Sequence, residues 1–474
     1  MEKVFVCTVC STKNLTSSTF CVNCRGRINL NIPMLEEEAD EMIADIHFKV
    51  RKKKFQRRGI LVSITAAVII TVLGIGFYPS SNVFFDTNQE KNTIDLASDT
   101  FNSDWNMYQN NAINSGFSNY TYELDGKSVW QFQTSSGFVK SSPSISEGVL
   151  YLLTGDQLDR RIVAINAQSG HILWEKIVGP PAETSPAISG KALYITLRDG
   201  SIISLDKATG EEIWVYNTGS PIFSSPTIYK GILYVTTHEE LLIALEAHTG
   251  EVLWEYDAEE SITSVPAVND VVVAFNSNSN YVHILDSKTG NRRLKYPTGF
   301  AAGSVAISKD LLYVADWTGR VSAINWTKKE RLFQQKIRTF KLNLYVWGLI
   351  DSFPFWTGFT WIFEQPGEKF QSTPVLSKDA VIVSSNSGKV YKLDIGNGQL
   401  MWMFDLKAKI NQPVVATKNL VIVGDSKGDL FKIDIETGEG EKFLSVNGSI
   451  SSPPVASNNR MFITTDTGTV YSIE

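Results

Sequence analysis

Along most of this chain, apolar and polar residues alternate in short runs that return in groups of four about every forty residues. Ser224–Ala258 shows one group. Strand-like runs cover Ser224–Ile228, Ile232–Thr236 after the Lys230-Gly231 turn, Leu241–Glu246 and Glu251–Tyr256. Thr249-Gly250 opens the last run, and Trp254 stands four residues beyond the glycine. The pair recurs as Ser169-Gly170 with Trp174 and Thr209-Gly210 with Trp214. It recurs in altered form as Thr289-Gly290 with Leu294, Asn397-Gly398 with Trp402, and Thr437-Gly438 with Phe443 one position late. A second marker, Ser-x-Pro or a neighbour of it, precedes each group at Pro143, Pro186, Pro226, Pro266, Val305, Pro374, Pro413 and Pro453. Four short strands per period of about forty residues predict the blade of a β-propeller.

Eight markers predict eight blades. The last group stops at Glu474, where a third strand ends, while Ser128–Phe132, with Trp130, is a fourth strand with no blade of its own. The expected fold is therefore all-β: an eight-bladed propeller of four-stranded blades over residues 104–474, closed by an N-terminal strand that completes the last blade. The repeated tryptophans fill the gaps between blades. The repeated acids Asp206, Glu246, Asp286, Asp394 and Asp434 cap the Thr-Gly turns.

One interval breaks the period. Gly290 to Gly358 is 68 residues, whereas Gly358 to Gly398 is 40 again, so 28 residues (329–356) are inserted between the third and fourth strands of the fifth blade. The insertion reads as a loop, with Phe340, Tyr345, Trp347, Phe353, Phe355 and Trp356 around Asp351 and Pro354. Two readings stand. Tyr345, Trp347, Phe353, Phe355 and Trp356 contact a partner or a membrane, or the segment is a hairpin folded onto the propeller's own face.

Upstream of the repeats, Gly59–Tyr78 is twenty residues without a charge, about 30 Å as a helix and enough to cross a bilayer. Six basic residues lie in the eight positions before it and none follows until Lys91, which places the N-terminus in the cytoplasm and residues 80–474 outside. A cleaved signal peptide fits less well, because 58 residues precede the run. The expected order is a module at 1–27, a charged helical cytoplasmic linker at 28–58 (helix from residue 33), the span at 59–78, and a polar extracytoplasmic linker at 79–103. The helical segment serves as a spacer or a pairing surface.

The full chain of 474 residues has a net charge of −6. Residues 1–81 carry 11 basic against 7 acidic side chains; residues 82–474 carry 33 against 43. A net −10 on the propeller side argues against nucleic-acid binding there. All four cysteines fall within the first 24 residues, as Cys7-x2-Cys10 and Cys21-x2-Cys24. Two such knuckles present four thiolates to one ion, the closed tetrahedral set that structural Zn²⁺ prefers, with no open position for catalysis. Free thiols or two redox pairs are the alternatives.

Phe20-Cys21-Val22-Asn23-Cys24-Arg25-Gly26 resembles the short bacterial zinc ribbons at the N-termini of many membrane proteins, a likeness confined to residues 1–27. Trp105-Asn106-Met107-Tyr108 is similar to the lead-in of propellers of the pyrroloquinoline-quinone-like type. The pattern A/S-x-(D/E/N)-x-x-(T/S)-G-x-x-x-W, as in Ser204 to Trp214, resembles that repeat family over residues 104–474. The resemblance implies one of two groups. Quinoprotein dehydrogenases hold the quinone and calcium over the ring's centre; non-catalytic members, such as the propeller lipoprotein of outer-membrane protein assembly, hold partners. The outer region has no cysteine and its acids are mostly repeat positions. The expectation is therefore the non-catalytic branch: no enzyme activity, no pyrroloquinoline quinone, and zinc in the N-terminal module. The implied function is a membrane-anchored extracytoplasmic scaffold in a bacterial cell envelope. It would take envelope or membrane proteins through the propeller and its 329–356 insertion, and the bilayer through 59–78. Alternatives are a sensor coupling an envelope ligand to the zinc ribbon and, more remotely, a quinone-dependent dehydrogenase.

Overall fold

The computed structural model describes residues 105–474 except 135–140, 156–159, 180–183, 301–302, 331–332 and 458, together with three short strands near the N-terminus. The chain divides into two units, residues 1–91 and 92–474. In the first, strands β1 (Lys3–Val6), β2 (Lys13–Leu15) and β3 (Met34–Leu35) form an antiparallel sheet in the order β2-β1-β3. The helix expected from residue 33 is corrected at its start. Met34 pairs with Val4 and Leu35 with Lys3, so the two apolar residues after Pro33 extend a sheet before the acidic run begins. Cys7, Cys10, Cys21 and Cys24, the 59–78 span and the 79–103 linker lie outside the described residues. Among the described residues, no helix is long and apolar enough to cross a membrane.

The second unit contains eight four-stranded antiparallel sheets among its described residues. Blades 1–7 run in chain order, with inner strands beginning at Ser144, Ala187, Thr227, Ala267, Ala306, Val375 and Val415. Blade 8 joins Val455–Ser457, Arg460–Thr464 and Thr469–Ile473 to Ser128–Gln133, so the N-terminal strand closes the ring as expected. Two markers shift: Val414 and Pro454, rather than Pro413 and Pro453, directly precede the inner strands of blades 7 and 8. In both, a proline one position before the marker position had displaced the alignment.

The Gly-to-Trp spacing has a geometric cause. In blade 3, Ala244 pairs with Trp254 but Leu245 pairs with Val252, so Leu253 is a bulge. The bulge turns the indole toward the neighbouring blade. Glycine and tryptophan of one repeat therefore do not serve each other. A Cβ at Gly170, Gly210 or Gly250 would come within 3 Å of the ring of Trp130, Trp174 or Trp214 in the preceding blade. Each Trp also donates from Nε1 to a carbonyl beside that turn: Trp130 to Ala167, Trp174 to Lys207, Trp214 to Ala247. The repeated carboxylates cap the turn, as when Asp206 Oδ1 accepts from the Ala208 and Thr209 amides.

A cross-strand triplet fills each junction. Tyr194, Ser204 and Trp214 stand side by side, and the tyrosine hydroxyl donates to the same Ala247 carbonyl at 3.1 Å. In blade 6 the triplet is Ile382, Lys392 and Trp402. The tyrosine is gone, and Lys392, 0 % exposed, donates from Nζ to the Ile435 carbonyl at 2.9 Å. The lysine thus replaces a hydroxyl lost one strand away. Lys392→Ala is expected to destabilise by about 2–4 kcal/mol, from a cavity and a lost buried donor. Ile382→Tyr with Lys392→Ala is expected to recover most of that. Denaturant midpoints of the three chains check it, and no recovery in the double variant would refute the exchange.

Candidate functional site

Two places depart from the repeat: the ring's centre and the insertion. Over the centre, residues 105–118 cross the inner strands. Carbonyls of Trp105, Asn106, Ala112, Ile113, Ser115 and Gly116 accept from the amides of Ile145, Ile188, Val268, Ile307, Leu376 and Ala416, in blades 1, 2, 4, 5, 6 and 7. These inner-strand amides have no further strand to pair with, and the lead-in satisfies them. Asn114 adds a bond from Nδ2 to the Val305 carbonyl at 3.0 Å. The segment then passes over the first turn of blade 7, where Lys418 donates to the Tyr120 carbonyl. Beneath it runs a ring of hydroxyls. Ser185 N–H donates to Ser225 Oγ and Ser304 N–H to Thr373 Oγ1, and the Tyr108 hydroxyl meets Thr373 Oγ1 at 3.0 Å. Burial raises the Tyr108 pKa above its ordinary value.

Among the described residues, no three His, Cys, Asp or Glu side chains stand together to hold a metal ion. Asp316 and Asp425 are used by their own turns, accepting from Thr318, Arg320, Lys427 and Asp429 amides.

The insertion lies where the phase break placed it, between Arg320–Asn325 and Phe359–Glu364 of blade 5. Its form corrects the expected loop and the hairpin alternative: Gln334–Val346 is a helix, α1, with no buried residue. Glutamine, lysine, arginine and leucine favour it. Its end is a Schellman turn, with Gly348 at φ 68°, Gly348 N–H donating to Tyr345 and Leu349 N–H to Leu344. Asp351 and Pro354 lie beyond that stop.

The five aromatics singled out from sequence divide. Tyr345 meets Phe353 edge-on at 5.5 Å, Phe353 meets Phe355 at 5.0 Å, and Phe355 stacks on Phe359 at 4.3 Å. Trp356 packs on the blade 4–5 core, with the Arg338 guanidinium 3.9 Å above its ring. These contacts tether the helix. Only Trp347 stands free, 69 % exposed. Sequence reading missed Phe333 and Ile337, 44 % and 51 % exposed, which join Phe340 (61 %) on the outer side. The signal was the 4-3-4-3 spacing of Phe333, Ile337, Phe340, Leu344 and Trp347. Between helix and blade, Lys295, Glu330, Arg338 and Trp356 line a small groove open to solvent.

A family model described as outer membrane protein assembly factor BamB matches residues 115–186, 158–350, 356–441 and 386–474. The chain belongs to this family. No curated protein matches it at a significant level. Among solved structures, BamB from Moraxella catarrhalis aligns with a TM-score of 0.57 at 17% identity, covering 73% of this chain and 96% of that one. The computationally designed protein Ika8 aligns at 0.59 and 14%, covering 73% and 99%. Quinohemoprotein alcohol dehydrogenase from Comamonas testosteroni aligns at 0.60 and 13%, covering 79% and 81%. At these identities the structures share the fold, which serves an assembly factor and a dehydrogenase alike and assigns neither activity to this member. Residues 329–350 of the insertion fall inside the second matched segment, which ends at 350.

Proposed function

We propose that this protein is a membrane-anchored, non-enzymatic interaction scaffold of the bacterial cell envelope. Its ring lies outside the membrane, Gly59–Tyr78 crosses it, and Cys7, Cys10, Cys21 and Cys24 hold one structural zinc ion in the cytoplasm. The family description supports a role in holding proteins. The observation that carries it is the insertion, a helix tethered over blade 5 by the Phe353–Phe359 ladder and Arg338 on Trp356, yet exposing its apolar outer side. A solvated spacer needs no such side. The protein-binding surface is the propeller together with this elevated segment.

Crosslinking in the envelope tests the reading. Removing 329–356 entirely would also take Trp356 from the core, so the informative variant is Phe340→Ser with Trp347→Ser. Loss of at least one crosslinked partner, at unchanged protein level, is expected. An identical partner set from this variant and from a chain lacking 333–353 would remove the insertion from the scaffold's binding surface.

A further inference from the structure

We infer that helix α1 docks on an anionic lipid surface, laying its outer stripe at the headgroup level of the membrane that anchors the chain. This rests on the scaffold reading for the nearness of a bilayer and goes beyond it by giving the outer stripe of the helix to lipid, which leaves protein contacts to the propeller and the rest of 329–356. Two independent observations carry it.

The first is the helix itself. Ile337 and Phe340 are exposed on one side of the helix, with half-buried Leu344 in line with them, and the capping residues Phe333 and Trp347 are exposed at its two ends. Lys336 and Lys341 fall on either side of the stripe. The opposite side, with half-buried Gln334, Arg338 and Leu342, faces the blade. An apolar stripe ending in Trp and bordered by lysines is the pattern of a helix lying in a membrane interface. Lysine stems reach past the apolar residues while their ammonium groups stay at the headgroups, and Lys336 Nζ already lies 5.9 Å from the Phe333 ring centre.

The second is charge. The insertion has five basic residues (Lys329, Arg331, Lys336, Arg338, Lys341) against Glu330 and Asp351, net +3. The rest of residues 82–474 has 28 basic against 41 acidic, net −13. An anionic surface repels the ring generally and attracts this segment, so the charge pattern orients the molecule as well as binding it.

The test uses the full chain with vesicles of phosphatidylcholine bearing brominated acyl chains, with or without phosphatidylglycerol. Flotation with the neutral vesicles reports the 59–78 span and so separates failure of the tether from failure of the helix. Bromine quenching of tryptophan emission reports the helix, and Trp347→Phe isolates the contribution of one indole among eleven. We expect phosphatidylglycerol to increase quenching in the native chain and not in Trp347→Phe. Lys336→Ala with Lys341→Ala is expected to lower that increase at least fivefold. Equal quenching in the native and Trp347→Phe chains overturns the inference. So does amide-exchange protection of 333–347 that appears only with rising protein concentration, or only with an added protein partner, and without bromine quenching.

Discussion

Gly250→Ala is expected to destabilise the propeller by about 2–5 kcal/mol, whereas Gly231→Ala, in the same blade, is expected to destabilise it by about 1–2 kcal/mol. Both glycines have left-handed backbones, at φ 77° and 78°, so both substitutions carry the same conformational penalty, about 1–2 kcal/mol for an L-residue there. They differ in what the new methyl meets. At Gly231 nothing lies within 4 Å; at Gly250 two carbons of the Trp214 ring lie at 2.8 Å. The indole has little room to move, since its Nε1 is held by the Ala247 carbonyl at 3.0 Å. Overpacking of this kind adds about 1–3 kcal/mol. Trp214→Leu supplies the decisive control, because blade 4 already has Leu294 at this position, beside Gly358. In that background the added cost of Gly250→Ala should fall toward that of Gly231→Ala. Unfolding midpoints of the five chains, native included, measure the coupling, and equal costs for the two glycines in the native background would refute the interlock.

That interlock marks how far the sequence could be read. Blade number, ring closure through Trp130 and the site of the insertion all follow from counting, because a strict period makes any departure visible. The pairing of a glycine with the preceding blade's tryptophan does not follow from counting. Within one repeat the two look like partners four residues apart, and only the bulge at Leu253 and its equivalents sends the indole outward. The exchange of Tyr for Ile382 and of a small residue for Lys392 is likewise invisible until register sets them opposite each other. The insertion failed as a helix for a local reason: Asp351 and Pro354 read as breakers of the whole segment, although they lie after the Gly348 stop. The lead-in was legible as a motif, but not as the segment that satisfies the inner strands, since its partners are spread over six blades.

Acid is expected to weaken blade 4 specifically, through His283. The imidazole is fully buried in the strand Tyr281–Asp286, stacked on Phe275 at 5.0 Å. Its Nδ1 meets the Tyr256 hydroxyl and its Nε2 the Ser277 hydroxyl, each at 3.1 Å. A neutral ring serves both neighbours, one nitrogen donating and the other accepting. Burial, and then the like charges of Lys295 and Arg292, lower its pKa to about 3. Above pH ~6.5 the ring is neutral in both folded and unfolded chains, and the group is indifferent to pH. Below that, the unfolded chain takes up a proton that the native ring refuses until about pH 3. Stability is therefore present above ~6.5 and is lost as pH falls toward the folded value, at about 1.4 kcal/mol per unit. Between pH 6.5 and 4.5 this amounts to about 2–3 kcal/mol. Carboxylates titrate in the lower part of the window, so His283→Ile is the comparison that isolates the effect; Ile203 and Ile243 occupy the same register position in blades 2 and 3. The variant should show a shallower fall in unfolding midpoint from pH 7 to 4.5, by close to one proton in the difference of slopes. Parallel pH profiles for the two chains would mean that the imidazole is protonated in the native ring, and the neutral Tyr256–His283–Ser277 chain would have to be abandoned.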